Sequence, residues 1–219
     1  MTGGFFIRRY FMERKLYKTK KYDDFMGLFS PGDCPICLMR KNWLEEFIDA
    51  FLYEGVNDRK MRKRIKENGG ICPRHAHAMM EQGDPLAHAI IYSDLIEDYL
   101  KDLDGKKKAG CLVCDLERQS DEVILKSFLD FFQNSSEFSE RFSQTGACIC
   151  RPHLKQLKCM TRNKVLIQDL YRIQTQNLER TRQCLEEIKR KTDYRFSREA
   201  LTEEEKTAWQ RAVKLMVGL

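Results

Sequence analysis

Residues 34–75 read CPICLMRKNWLEEFIDAFLYEGVNDRKMRKRIKENGGICPRH, and residues 111–153 read CLVCDLERQSDEVILKSFLDFFQNSSEFSERFSQTGACICRPH. Each stretch opens on Cys-x-x-Cys and closes on Cys-x-x-His. The offset is 77 from Cys34 to Cys111 and from Cys37 to Cys114, and 78 from Cys72 to Cys150 and from His75 to His153. Four positions that repeat with one residue of slippage indicate an internal duplication. The residues between agree. At an offset of 77, Phe47 falls on Ile124, Phe51 on Phe128, Leu52 on Leu129, Met61 on Phe138 and Ile65 on Phe142. These apolar positions recur at the spacing of a helix face turned to a core.

Working outward, each copy reads as a run of helices. The first runs from about Pro35 to Glu54. Asn57 or Asp58 can cap a second, ending near Asn68. A third starts at Pro73, is broken at Gly83-Asp84-Pro85, and is followed by a fourth to about Leu103, with Ile91, Leu95 and Tyr99 along one face. Proline suits a first helical turn, where its missing N–H is not needed, which places Pro35, Pro73 and Pro152 at helix starts. Gly69, Gly70 and Gly146 precede the second motif of each copy and can end one helix before the next.

The expected fold is all-α. Two tandem helical repeats, each pinned by a metal site of three cysteines and one histidine, are followed by a C-terminal helix. The boundaries read as 1–33 for an N-terminal arm and short helix, 34–104 for the first repeat and 105–110 for a linker. The second repeat is 111–191, its last helix covering about Lys164 to Arg190, and 192–219 is a C-terminal tail. In that tail Thr202 and Glu205 form a capping box for a helix whose Trp209, Ala212, Leu215 and Met216 are expected to pack as a lid.

Composition fits this reading. Five prolines and 12 glycines in 219 residues are few for the turns of an all-β protein, and 42% hydrophobic residues allow a real core. No run reaches the ~18–20 apolar residues of a membrane span. Phe5, Phe6, Ile7 and Phe11 are interrupted by Arg8 and Arg9, too short a stretch for a secretion signal. It reads as an arm, or as an extension upstream of a start at Met12. The protein is expected to be soluble and cytoplasmic, with no membrane partner. Nine cysteines, an odd number, do not suit a secreted disulfide framework. In a reducing compartment they point to metal, catalysis or packing.

Spacing selects metal. Cysteines at i and i+3 in a first helical turn face one way, and the positive helix end favours thiolate, the form that binds metal. Cys-x-x-His offers a second such pair. The expected sets are Cys34, Cys37, Cys72 and His75 in the first copy, and Cys111, Cys114, Cys150 and His153 in the second. Three cysteines and one histidine make a structural zinc set, so two zinc ions per chain are the favoured cofactors. An iron–sulfur cluster is the next reading, weakened because histidine is an exceptional cluster ligand. A dithiol redox pair is the third, without the surrounding βαβ pattern such pairs have. Cys148, two residues before Cys150, reads as a bystander thiol, Cys159 and Cys184 as packed residues, His77 as no required ligand and His88 as structural.

The segments CPIC (34–37), CPRH (72–75), GDPLAHAIIYSDL (83–95) and the ending DYRF (193–196), EEE (203–205), Trp209 and Ala212 together resemble an uncharacterised prokaryotic protein family with paired Cys-Pro-x-Cys and Cys-Pro-x-His motifs. The resemblance covers the chain from about Met12 onward. The second copy departs from it: Cys111-Leu-Val-Cys114 lacks the proline and Cys150-Arg-Pro-His153 shifts it. The resemblance implies a helical metal-binding protein and supplies no reaction.

No catalytic set stands out: there is no Walker loop, dinucleotide turn, nucleophile elbow or HExxH. Glu45, Glu46 and Glu203 to Glu205 read as solvated helix surface. The expected role is a metal-stapled scaffold that binds another protein. Nucleic acid is the second partner class. Its case rests on Asn57 to Asn68, with six basic residues against two acidic ones. The repeat provides a control, because Ser135 to Gln144 keeps the apolar spacing but has one basic residue against two acidic ones.

Overall fold

A computed structural model describes residues 14–103, 110–196 and 198–219, with side chains from Lys21 onward. The N-terminal arm through residue 13 and all of the expected linker except Gly110 lie outside the described residues. Among the described residues every regular element is helical. They are α1 (Arg14–Gly27), α2 (Pro35–Tyr53), a short 3-10 turn (Gly55–Asn57), α3 (Arg59–Glu67), α4 (Pro73–Gln82), α5 (Pro85–Lys101), α6 (Leu112–Asn134), α7 (Ser136–Gln144), α8 (Arg151–Met160), α9 (Lys164–Thr192), a second 3-10 turn (Tyr194–Phe196) and α10 (Glu203–Val217). No described helix is long and apolar enough to cross a membrane.

Local chemistry sets the helix ends. Asp58 caps α3 by accepting from the backbone N–H groups of Lys60 and Met61, and Ser135 caps α7 by accepting from Phe138. The two caps are 77 residues apart and satisfy N–H groups that the first turn leaves without partners. Asp84, at φ 62°, caps α5 through Ala87 N–H, which makes the expected break at Gly83-Asp84-Pro85. Thr202 and Glu205 form the expected capping box of α10.

The chain forms two compact units, and they cut across the repeats. One holds Lys41–Glu122; the other holds Lys18–Arg40 and Val123–Leu219. Helices α2 and α6 therefore each give their first residues to one unit and the rest to the other. In the Lys41–Glu122 unit, Phe47, Phe51, Met61, Ile65, Met79 and Ile91 pack with Leu112, Val113 and Leu116 from the start of α6. In the other, Ile124, Phe128, Phe138, Phe142, Leu157 and Leu170 pack with Ile36 and Met39 from the start of α2, and with Phe25 and Phe29. The residues matched by the repeat occupy matching core places. The second core is aromatic, with Phe138 in edge-on contact with Phe25, Phe29 and Phe128 at ring separations of 5.0 to 5.9 Å, a favourable geometry for aromatic pairs.

Helix α10 differs from its expected packing. Its buried residues are Glu205, Ala208 and Leu215, while Trp209 and Met216 are exposed by 56% and 53%. Glu205 is buried because Lys191 of α9 pairs with both its carboxylate oxygens, at 2.8 and 2.9 Å.

Candidate metal centres

The eight cysteine and histidine side chains singled out by the repeat gather into two groups of four. Cys34, Cys37, Cys150 and His153 form one; Cys72, His75, Cys111 and Cys114 form the other, the donor atoms of each lying within 4.8 Å of one another. This corrects the pairing expected within each repeat. Cys34 and Cys37 do not share a centre with Cys72 and His75, nor Cys111 and Cys114 with Cys150 and His153. Each centre takes Cys-x-x-Cys from one repeat and Cys-x-x-His from the other.

The reason lies in helix lengths. Helix α2 has 19 residues and α3 only nine, so at 1.5 Å per residue the chain runs out about 28 Å and returns about 13 Å. Legs of such unequal length do not return the first Cys-x-x-His to the Cys-x-x-Cys that precedes it. The 23 residues of α6 and nine of α7 repeat the mismatch. Within the Lys41–Glu122 unit, the pair at the start of α4 meets the pair at the start of α6.

The spacing in both centres is that of a tetrahedral ion. Arms of about 2.3 Å to sulfur and 2.0–2.1 Å to nitrogen give edges of about 3.8 Å between sulfurs and about 3.5 Å from sulfur to nitrogen. In the first centre His153 Nδ1 lies 3.5, 3.4 and 3.1 Å from the sulfurs of Cys34, Cys37 and Cys150, and the Cys37 and Cys150 sulfurs are 3.6 Å apart. In the second, His75 Nδ1 lies 3.3, 3.5 and 3.4 Å from the sulfurs of Cys72, Cys111 and Cys114, and the Cys72 and Cys114 sulfurs are 3.7 Å apart. A disulfide would need about 2.05 Å, and all these cysteines are free thiols. Three sulfurs and one imidazole nitrogen at these distances can hold a metal ion.

Without metal, each cluster shares protons among its own donors. Burial pulls the His75 imidazole toward its neutral form, but Cys111 and Glu117 outweigh it and raise the pKa to about 9. Burial likewise opposes, and Cys150 and Cys37 raise, that of His153 to about 9. Burial would raise Cys111, yet its hydrogen bonds from His75 and the nearby backbone bring it to about 6. Burial and then Cys72 push Cys114 up to about 11. Hydrogen bonds from Cys150 and Cys34 hold Cys37 far below the usual thiol range, while burial pushes Cys34 well above it.

The surroundings place these donors. Cys150 follows a non-helical stretch clamped by buried Gln174, whose amide accepts from Ile149 N–H at 2.8 Å and donates to Ile149 O at 2.6 Å. Asn177 adds a bond to Ala147 O. Gly32 N–H donates to Gly146 O and Cys148 N–H to Asp33 O, which brings the approach to Cys34 beside the approach to Cys150. Gly218, at φ 86°, closes over this centre: a Cβ there would stand 3.7 Å from Cys150 Sγ and 3.8 Å from Cys37 Sγ.

The other nitrogen of each histidine meets opposite charges in the two centres. His75 Nε2 lies 3.5 Å from a carboxylate oxygen of Glu117, which also takes two bonds from Arg74. Burial tends to raise the Glu117 pKa, but His75 and Arg74 outweigh it and hold it near 2. A carboxylate on the outer nitrogen of a ligating histidine fixes its orientation and raises its basicity. His153 Nε2 lies instead 3.3 Å from Arg40. An imidazole bound through Nδ1 keeps its proton on Nε2, and arginine only donates, so Arg40 contributes positive charge there. Arg40 and Glu117 are 77 residues apart, the same place in the two repeats. Sequence reasoning passed over both, and over Gln174 and Gly218; the repeat offset was the signal that linked Arg40 to Glu117.

The remaining candidates stand apart. Cys148 is fully buried and belongs to neither centre; burial pushes its thiol up to about 12. His77 is exposed. His88 bonds Asp84 O through Nδ1 at 2.8 Å and stacks on Tyr92. Cys159, expected to be packed, is exposed, and Cys184 is half-buried. The buried face of α8 carries His153 and Leu157; two residues beyond Leu157, Cys159 points the other way.

The chain matches a family model described as "Family of unknown function (DUF6062)" in two segments, residues 12–109 and 100–219. It is similar to the "Uncharacterized 23.9 kDa protein in xynA 3'region" of Caldicellulosiruptor sp. (strain Rt8B.4), with 35% identity over 199 residues that cover 87% of this chain and 97% of the relative. No solved structure matches it.

Proposed function

The chain belongs to the family of unknown function DUF6062, and we propose that it is a helical scaffold stapled by two structural zinc ions, whose role is to bind another protein. The observation that carries the metal reading is the agreement of both clusters with the edges of a zinc tetrahedron, three sulfurs and one nitrogen each. Four protein donors close such a site and leave no position for a substrate. The ion joins helix starts from two repeats, so its binding adds to the stability of the fold.

Two exposed apolar stripes support a protein partner. Ile96, Tyr99, Leu100 and Leu103 follow helical spacing along and just beyond α5, and Trp209, Val213 and Met216 along α10; each is more than half exposed. Such stripes are the usual anchors of helix-mediated contacts. The basic helix α3 supports nucleic acid less well than its sequence did. Arg62 pairs with Asp94, Lys66 with Asp98 and Lys63 with Glu67, so half of its six basic residues face carboxylates.

Elemental analysis with an absorption spectrum of untagged protein tests the metal. Two zinc ions per chain and no visible colour are expected; iron with visible absorption, or no metal after anaerobic purification, overturns the reading. For the partner, Tyr99→Glu with Leu100→Glu is expected to abolish recovery of a protein that the wild type retains, at unchanged melting temperature. Salt-sensitive submicromolar binding of DNA or RNA, lost in Arg62→Ser/Lys63→Ser, would replace that partner with nucleic acid.

A further inference from the structure

The two centres have the same ligands and nearly the same sulfur separations, 3.7 Å for Cys72–Cys114 and 3.6 Å for Cys37–Cys150. Ligand geometry therefore does not distinguish them. Access does. Cys34, Cys37 and Cys150 are at most 4% exposed, and the end of the chain at Gly218 lies against two of their sulfurs. Cys72 and Cys114 are only half-buried. Charge also differs. Arg74 pairs with Glu117 beside this centre, whereas the place of Arg74 in the second repeat, 78 residues on, is Pro152.

We propose that the centre of Cys72, His75, Cys111 and Cys114 is a peroxide-reactive site, at which Cys72 and Cys114 are oxidised to a disulfide and the ion is released, while the centre of Cys34, Cys37, Cys150 and His153 keeps its ion. The proposal rests on the zinc reading above. In the first step one of the two thiolates attacks an oxygen of hydrogen peroxide. The O–O bond breaks, the leaving hydroxide takes a proton to become water, and the sulfur becomes a sulfenic acid. In the second step the other thiolate attacks that sulfur. The S–S bond forms, the S–O bond breaks, and the departing hydroxide is protonated to a second water. Two sulfurs have lost one electron each, peroxide has gained two, and zinc leaves as an unreduced divalent ion after losing two of its four ligands. The buried centre offers its sulfurs no comparable approach.

The test uses the full chain, first shown by elemental analysis to hold two zinc ions. Hydrogen peroxide is added in the presence of a chromophoric zinc chelator, and samples are alkylated and mapped by peptide mass spectrometry. One ion per chain is expected to leave at least about ten-fold faster than the other, the difference expected between accessible and buried thiolates. The early product should carry a Cys72–Cys114 disulfide with Cys34, Cys37 and Cys150 still reduced. Release of both ions at one rate, earlier oxidation of the buried cysteines, or reaction confined to exposed Cys159 overturns the proposal and leaves the zinc reading intact. A chain that holds no zinc before peroxide is added overturns the zinc reading itself.

Discussion

Two double variants separate crossed from uncrossed ligand sharing. Cys34→Ala/Cys150→Ala strikes a single centre in the observed arrangement, while Cys34→Ala/Cys72→Ala strikes both. A structural zinc contributes on the order of 10 kcal/mol to folding, comparable with the total of about 5–15 kcal/mol that a domain has to spare. The first ligand lost from a centre therefore removes most of what its ion contributes. A second loss in the same centre adds only about 1 kcal/mol, the order of a small buried group. The effects of Cys34→Ala and Cys150→Ala on the melting transition should be strongly sub-additive, and those of Cys34→Ala and Cys72→Ala close to additive. Metal counting gives the clearer readout. After gel filtration in metal-free buffer, the Cys34/Cys150 variant should retain one ion per chain and the Cys34/Cys72 variant none. The opposite pattern, none in the first and one in the second, would refute the crossed assembly and the helix-length argument behind it.

Phe138→Ala removes a fully buried ring with five aromatic neighbours and should cost about 3–5 kcal/mol in denaturant unfolding; Trp209→Ala, on the exposed side of α10, should stay within about 0.5 kcal/mol. Asp58→Ala and Ser135→Ala each remove a helix cap and should each cost about 1 kcal/mol, so a marked difference between them would show that the repeats do not treat this position alike. In the metal-loaded native protein a thiol-alkylating reagent should label exposed Cys159 first and leave Cys148 unmodified until unfolding, because Cys148 is fully buried and its thiol is pushed up to about 12; native labelling of Cys148 would contradict its placement.

Much of this was legible in the sequence. Caps at Asp58 and Thr202, the break at Asp84 and the prolines at helix starts are local signals, and local chemistry decides them. That these eight cysteines and histidines gather into clusters was legible as well, since motif and repeat single them out together. Their partition was not. Spacing says which residues face one way from a helix start, but not which four share one ion, because that depends on how far each helix carries the chain. The unequal outward and return legs, α2 against α3 and α6 against α7, contained the answer. Counting apolar residues also misled in α10. It placed Trp209 and Met216 inward, whereas a buried Lys191–Glu205 pair turns the helix so that Glu205, Ala208 and Leu215 face the core.

Crossed ligand sharing leaves a single repeat with two half-sites and no complete one. Such a segment could satisfy its thiols only by pairing with a second copy of itself, each copy finishing the other's coordination. Joining the copies in one chain makes that encounter intramolecular, so it no longer depends on protein concentration. It also frees the two halves to diverge. Once the partners are covalently tied, one position can become Arg40 in one copy and Glu117 in the other, a difference that a symmetric pair of identical chains could never hold. Within one chain the two repeats thus complete two sites that differ at this position.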